Sequence, residues 1–599
     1  MEQVRDVAQS VEYTSGGREV ARSNRVIPTR LQGFSLHPFY FIKSIPCPNH
    51  PWPLFLPFPF SYAAKFGRVI RHFPQNNNKY HPFLKTLLQK FGANRIIRYL
   101  CREKINQPVQ KFVKLMKYIS TLLLSFAVLA VSCKKETVIW QGITYEPVLA
   151  DEAPFHMSDV VVPIFPDRYF NISDYGARPM PEGGYASATD SARIIRTNSQ
   201  AIERAMEVCS SSGGGHVVVP KGEWLTGIVV FSSDCDLYLS EGAELVFSSN
   251  PDDYLPEHMT TYEGIECYNY RPLIYAWRQT NLGISGTGTI RPLMSIWDKW
   301  FEPTPDHYKA LQILDRWGTF NYTFFQRSIS SRTFRLSPPL IQFYQCTNIL
   351  LQDFKIRQSP HWTIHLFSCE EGVIRRLDVS AQGSKNDGID LEMSRHFIIE
   401  DCVFDQGGDV ISIKSGRVHE TWNNPDASRF ILIRRCEAKR GKAFLSIGEE
   451  ISHGAHYIYM HDCKATGKLD DFLFVKTNKR QGSIVDSITV ERCEAAALYR
   501  VFALESDVWG DWRDVSSSGK DTVASIGGIT MRDVKCRSSV GLVDISGPAQ
   551  RHVNNITIQN VHADSLASFE TRVSNADSVK ITGLTYGWFG HKPLPTKSK

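Results

Sequence analysis

None of the thirteen cysteines forms a C-x-x-C pair, so the commonest zinc-site spacing is missing. No acidic cluster has the layout of a calcium loop. Neither a metal nor any other cofactor is expected. A basic face for nucleic acid is missing too. Residues 1–132 carry 19 Lys/Arg against 5 Asp/Glu, and the remainder carries 49 against 57. The overall charge of +6 therefore hides a mildly acidic main body, and no nucleic-acid partner is expected. Long apolar runs are also scarce. The strongest, Ile119 to Val131, is too short to span a bilayer comfortably.

What that run does fit is export. "MKYISTLLLSFAVLAVSCKKE" opens at Met116 with a lysine, continues through the apolar stretch and closes on Ser132-Cys133. This layout reads as a secretion signal. "LAVSC" resembles a bacterial lipoprotein signal, with Cys133 as the lipid-bearing first residue of the mature chain. The expected organisation has four parts: 1–115 as an extension from a wrongly chosen start, 116–133 as the signal, 134–165 as a linker, and 166–599 as one domain. The expected location is periplasmic or at a bacterial cell surface, with membrane contact only through the lipid. The mature protein is expected to be a monomer.

From residue 349 the chain repeats one six-residue pattern: apolar, any, apolar, two mostly polar, apolar. It ends at Phe354, Leu377, Cys402, Cys436, Cys463, Cys493, Val534, Val561 and Leu584. Alternation with period two marks strands with one buried face. Recurrence at intervals in the twenties to forties marks a solenoid. The expected fold is all-β, a right-handed parallel β-helix with one strand set per coil. Cys402, Cys436, Cys463 and Cys493 then stack as small, reduced core residues. Helical spacing from Ser199 to about Cys209 predicts a short helix capping the first coil. Residues 291–335, rich in Trp and Phe, break the rhythm and read as an excursion that walls a groove.

The stretch Lys385–Gly416 holds seven carboxylates. Counting from the pattern ends places Asp387 and Asp409 side by side on adjacent coils, which lie about 4.8 Å apart. The same count continues the stripe to Lys442 and Lys476, one residue per coil. Close acids beside cations suit general acid–base chemistry on a polar substrate. A charged solenoid edge in solvent would show the same pattern.

"FNISDYGA", "GGGHVVVPKGEWLTGIVVF", "GISGTGTI", "NDGIDLE", "FDQGGDVISIKSG" and "FVKTNKRQG", in this order, resemble glycoside hydrolase family 28, the polygalacturonases and their pectin-degrading relatives. The resemblance runs from Phe170 to the last coils. It implies a right-handed parallel β-helix and inverting hydrolysis of an acidic polysaccharide, most simply galacturonan or rhamnogalacturonan. It also implies catalytic roles for Asp387 and Asp409 and substrate-binding roles for Asn386, Lys442, Glu450 and Lys476. Three family positions differ. Gly408 stands where the proton donor is expected, Lys442 where a histidine is, and Phe474 where an arginine is. Three readings stay open: a hydrolase with a rearranged site, its acid drawn from Asp409, Glu450 or Asp390; a carbohydrate-binding relative without catalysis; and a β-helical lyase. The first is preferred, because nothing else in the chain looks decayed.

Overall fold

The computed structural model of the chain describes residues 143–150, 152–417, 426–515 and 521–588. The signal, Cys133 and the extension before it lie outside the described residues. Among the described residues no helix is long and apolar enough to cross a membrane.

Inward-facing apolar residues build the core. Ile364, Ile389, Ile411, Leu445, Leu473, Phe502 and Val543 pair in one register across successive coils, and each is fully buried. Every such side chain contributes about 1.5–3 kcal/mol through its burial. Three such columns wind into a right-handed parallel β-helix, with 28 strands among the described residues in a single sheet system.

The repeated pattern occupies one corner of every coil. The N–H following each pattern end bonds the carbonyl of the end one coil earlier, as in Val403 to Leu377 at 2.8 Å and Glu437 to Cys402 at 2.8 Å. Cys493, Val534 and Val561 continue the column. The residue before each end turns the corner in the left-handed region, as at Asp353, Arg376, Asp401, Arg435, Asp462 and Arg492. Such a conformation costs a non-glycine residue about 1 kcal/mol or more. It also aims these side chains outward, where Arg376 pairs with Asp353, Arg435 with Asp401, and Arg492 with Asp462. This is why the pattern carries polar residues just before its last apolar one. Cys402, Cys436, Cys463 and Cys493 are buried, free thiols, and the Cys436 N–H donates to Cys463 Sγ at 3.4 Å.

The capping helix spans Ala188–Ser211, with Ser187 accepting from the Asp190 N–H as its N-cap. It buries Ile195, Ala201, Ile202, Ala205, Met206 and Cys209, and so begins a full three turns before the expected start. The expected linker needs a correction. Thr144–Val148 and Val160–Ile164 form an antiparallel hairpin. It packs on Leu350, Val373, Ile398 and Leu432, apolar residues that the repeats turn outward and that need a cover.

The excursion is partly helical. Trp297 and Trp300 join the solenoid core. The helix Pro305–Thr319 sets Ala310, Leu311 and Leu314 against Tyr262, Ile265, Cys267 and Trp512. Tyr262, Ile265 and Cys267 belong to a second hairpin, His258–Tyr262 with Ile265–Asn269. Hairpin, helix and the segment Gly510–Trp512 together roof one side of the solenoid.

Candidate active site

Under that roof lies the acid-rich edge. Ile389 pairs with Ile411, which sets Asp387 opposite Asp409 two residues earlier on each strand. The Asp409 N–H donates to Asp387 Oδ1 at 2.9 Å, and the Gly388 N–H donates to the Asp409 carbonyl at 2.9 Å. The two expected catalytic residues are thus brought together. Gly408 is what permits it. A Cβ built there would lie 2.1 Å from Asp387 Oδ1, so the Asp387 carboxylate fills space that any side chain at 408 would need.

Asp409 is 2 % exposed. Its Oδ2 accepts from Lys476 Nζ at 2.7 Å, and its Oδ1 accepts from the Ala443 N–H at 3.0 Å. Burial pushes its pKa up, but Lys476, Lys414 and Lys442 overrule it and hold the carboxyl well below the usual range. Asp390, three residues after Asp387, is the opposite case. It is fully buried, and neither carboxyl oxygen has a hydrogen-bond partner. Lys414 Nζ stands 3.6 Å from one of them. Burial and the neighbouring Asp387 charge raise its pKa well above the ordinary value. One edge therefore sets a carboxyl whose pKa is held down beside one whose pKa is pushed up, the arrangement that separates base from acid.

The stripe of one residue per coil is corrected by the register. Lys442 sits beside Gly408, its N–H donating to the Gly408 carbonyl at 2.7 Å. Lys476 belongs to another column, with Glu505 as its neighbour on the next coil. The coil count misplaced it because the longer strands 437–447 and 464–476 run through the corner with bulges. Its long side chain still reaches Asp409. Lys442 is exposed, with Nζ on the Ser384 carbonyl at 3.1 Å. Asn386 is fully buried. Its amide donates to the Ser359 and His361 carbonyls at 2.9 and 2.7 Å and its Oδ1 accepts from the Gly383 N–H at 2.7 Å, so it braces the turn instead of facing a sugar. Glu450 is buried against Lys414 at 3.0 Å and against Arg417. Burial opposes its ionisation, yet the two cations hold its pKa below the ordinary value. It is not a stored acid.

Several residues here escaped the sequence reading. Glu263, at the tip of the roof hairpin, accepts from Lys385 Nζ at 2.7 Å and from Trp512 Nε1 at 2.7 Å. Arg417 donates to the Glu263 carbonyl at 2.9 Å and to Glu449 at 3.0 Å. Gly264 has φ +88° and lies so close that a Cβ would meet the Arg417 nitrogen at 2.6 Å. Lys414 lies over the Trp362 ring and Arg417 over the Trp512 ring. Separations of 154 and 249 residues join these partners, which no local pattern signals.

With this geometry in place, the likenesses to known proteins gain meaning. The sequence model of the glycosyl hydrolases family 28 matches residues 324–582, a span that includes Asp387, Asp409, Lys442 and Lys476 and leaves Glu263 outside. A probable polygalacturonase of Vitis vinifera is 23% identical over 376 residues, 61% of this chain and 70% of that protein. A hyperthermoactive exopolygalacturonase from Thermotoga maritima has 27% sequence identity and a TM-score of 0.62, over 71% of this chain and 94% of that one. A family 28 exopolygalacturonase of Yersinia enterocolitica shares the fold at 17% identity and TM-score 0.54, over 73% of this chain and 81% of that one. Together with the fold, these likenesses make the chain a polygalacturonase-like glycoside hydrolase.

Proposed function

We propose that the chain hydrolyses a pectic polysaccharide with inversion, using Asp387 and Asp409. The observation that carries this reading is their hydrogen-bonded juxtaposition beside Asp390, a fully buried carboxyl without a hydrogen-bond partner. Asp409, kept ionised by lysines, takes the proton of the attacking water. Asp387, whose Oδ1 accepts from the Asp409 N–H, is the carboxyl assigned to the leaving oxygen. Inversion requires water and leaving group on opposite faces of the sugar.

Action at chain ends is part of this proposal. Glu263 bonded to Trp512, and Lys385 bridging Glu263 and Asp511 at 2.7 and 2.9 Å, close the edge from above, so a polymer threading past Asp387 meets a roof. The reading is tested by incubation with pectic polysaccharides, following reducing ends and ultraviolet absorbance together. New reducing ends without unsaturated products support it. Unsaturated products would mean elimination, and binding without either would mean lost catalysis.

Export and lipid attachment at Cys133 complete the proposal, supported by the charge, apolar run and cysteine after Met116. Mass spectrometry of the mature N-terminus in the native host tests it. An unmodified chain that retains residues before 116 would end it.

A further inference from the structure

Five cations surround Asp387 and Asp409 among the described residues: Lys385, Lys414, Arg417, Lys442 and Lys476. Four are already matched to carboxylates. Lys385 binds Glu263 and Asp511 at 2.7 and 2.9 Å. Lys414 binds Glu450 at 3.0 Å and stands 3.6 Å from Asp387. Arg417 binds Glu449 at 3.0 Å and also Glu450. Lys476 binds Asp409 at 2.7 Å. The faces of Trp362 and Trp512 are covered by Lys414 and Arg417. Only Lys442 faces solvent, with a backbone carbonyl as its partner.

A uronate ring placed against Asp387 and Asp409 would bring its own carboxylate into this setting. That group would lose its water while facing Asp387, Asp409, Glu449 and Glu450, with every buried cation committed elsewhere. Burying a charge without a partner is strongly unfavourable. Freeing Lys476 for the substrate would strip Asp409 of its hydrogen-bonded cation. An uncharged pyranose meets no such conflict, since its hydroxyls donate to the carboxylates already present and accept from the lysines beside them.

We propose that the subsite against Asp387 and Asp409 takes a neutral sugar ring, and that the acidic residues of the glycan lie outside it, next to Lys442 at the rim. The inference rests on the hydrolase reading and sharpens it. The sugar released would be uncharged, although the polymer is acidic.

The test uses the full-length protein and a set of oligogalacturonides differing only in the terminal sugar: galacturonate, its carboxyl-reduced galactose form, rhamnose or xylose. One neutral cap is expected to be released with kcat/KM at least about tenfold above the galacturonate cap, the scale on which an unpaired buried group is rejected. Equal or better release of galacturonate overturns the proposal. In parallel, galactose, rhamnose, xylose and galacturonate are titrated as free sugars and binding is followed by calorimetry. A neutral sugar is expected to bind more tightly than galacturonate. If no cap is released at all, the hydrolase reading fails, and calorimetry decides the subsite alone. Tighter galacturonate binding, or binding of none of the four, overturns it.

Discussion

Asp387 Oδ1 lies 2.1 Å from the point a Cβ would occupy on Gly408. The glycine is therefore part of how Asp387 is held, and filling it should do harm. Gly408→Ala and Gly408→Asp are each expected to displace Asp387 and to lower turnover on the protein's own substrate at least about tenfold, as small shifts of an acid–base group do. Overpacking of this kind costs about 1–3 kcal/mol, which a thermal melt would register. Restored or raised activity in Gly408→Asp would mean that the carboxylate has another place to go.

Asp387→Asn and Asp409→Asn should each reduce kcat by about 10²-fold or more, the usual weight of an acid–base group. Their stabilities should differ. Asp409→Asn leaves Lys476, 2.7 Å away, buried without its counter-charge, so its melting temperature should fall further than that of Asp387→Asn. Steady-state kinetics and melts on both proteins check this. Unchanged turnover in either would move the chemistry elsewhere along the groove.

The coils were legible because strand alternation repeats wherever one face is buried. The ends at Phe354, Leu377 and Cys402 therefore mark a true corner of the solenoid. The pairing of Asp387 with Asp409 was legible for the same reason, since the strands on either side of them pair without a bulge. Lys476 was misplaced because bulges between Ala438 and Arg440 and between Ala465 and Lys468 break the count. Asn386 was assigned to substrate by the resemblance alone, and a matching motif shows neither the direction nor the burial of a side chain. Glu263, Arg417 and Trp512 stayed hidden because their meeting depends on how the roof folds down.

Asp390 and Asp409 predict opposite pH effects on stability. The folded-state pKa of Asp409 lies below its unfolded value, so its contribution is present above the unfolded pKa, about 4, and is lost as pH falls through the folded value. That of Asp390 lies above, so the folded state keeps a proton that the unfolded state releases, and stability declines as pH rises above about 4. Asp390→Asn copies the neutral acid without the titration. It should fold, lose the decline at neutral pH and shift the pH–rate profile. A variant with the wild-type pH dependence of both stability and rate would show Asp390 to be a silent core residue.

The thiols of Cys402, Cys436, Cys463 and Cys493 should all be free. Each is buried at one corner of successive coils, and burial lifts the Cys402 and Cys463 thiols well above the ordinary value, which suppresses the reactive thiolate. Under native conditions they should resist alkylation, and under denaturing, non-reducing conditions all four should be labelled. Two disulfides among them would contradict a simple core column. A register slip by one residue would instead turn all four outward, and rapid labelling of the native protein would reveal it.

Chain-end action makes the most exposed prediction, because it depends on the roof and not on the acids. Glu263 holds the roof at two points, Trp512 Nε1 and Lys385 Nζ, each at 2.7 Å. Its pKa is pushed up by burial, but Lys385 and His361 outweigh this and keep it ionised. Loss of its carboxylate removes one of the two carboxylates that bind Lys385 and the 2.7 Å acceptor of the Trp512 N–H, and an unmade buried hydrogen bond costs about 1–3 kcal/mol. Wild-type protein should release single sugars from the first minutes with little fall in polymer viscosity. Glu263→Ala combined with Trp512→Phe should loosen the roof, lower the rate of single-sugar release and produce longer fragments with an early viscosity drop. If the wild type already yields long fragments, the roof does not close the groove and the chain-end reading is wrong. If the double variant releases only single sugars at the wild-type rate, the bridge is not what excludes the polymer, and some other part of the groove sets where the chain stops.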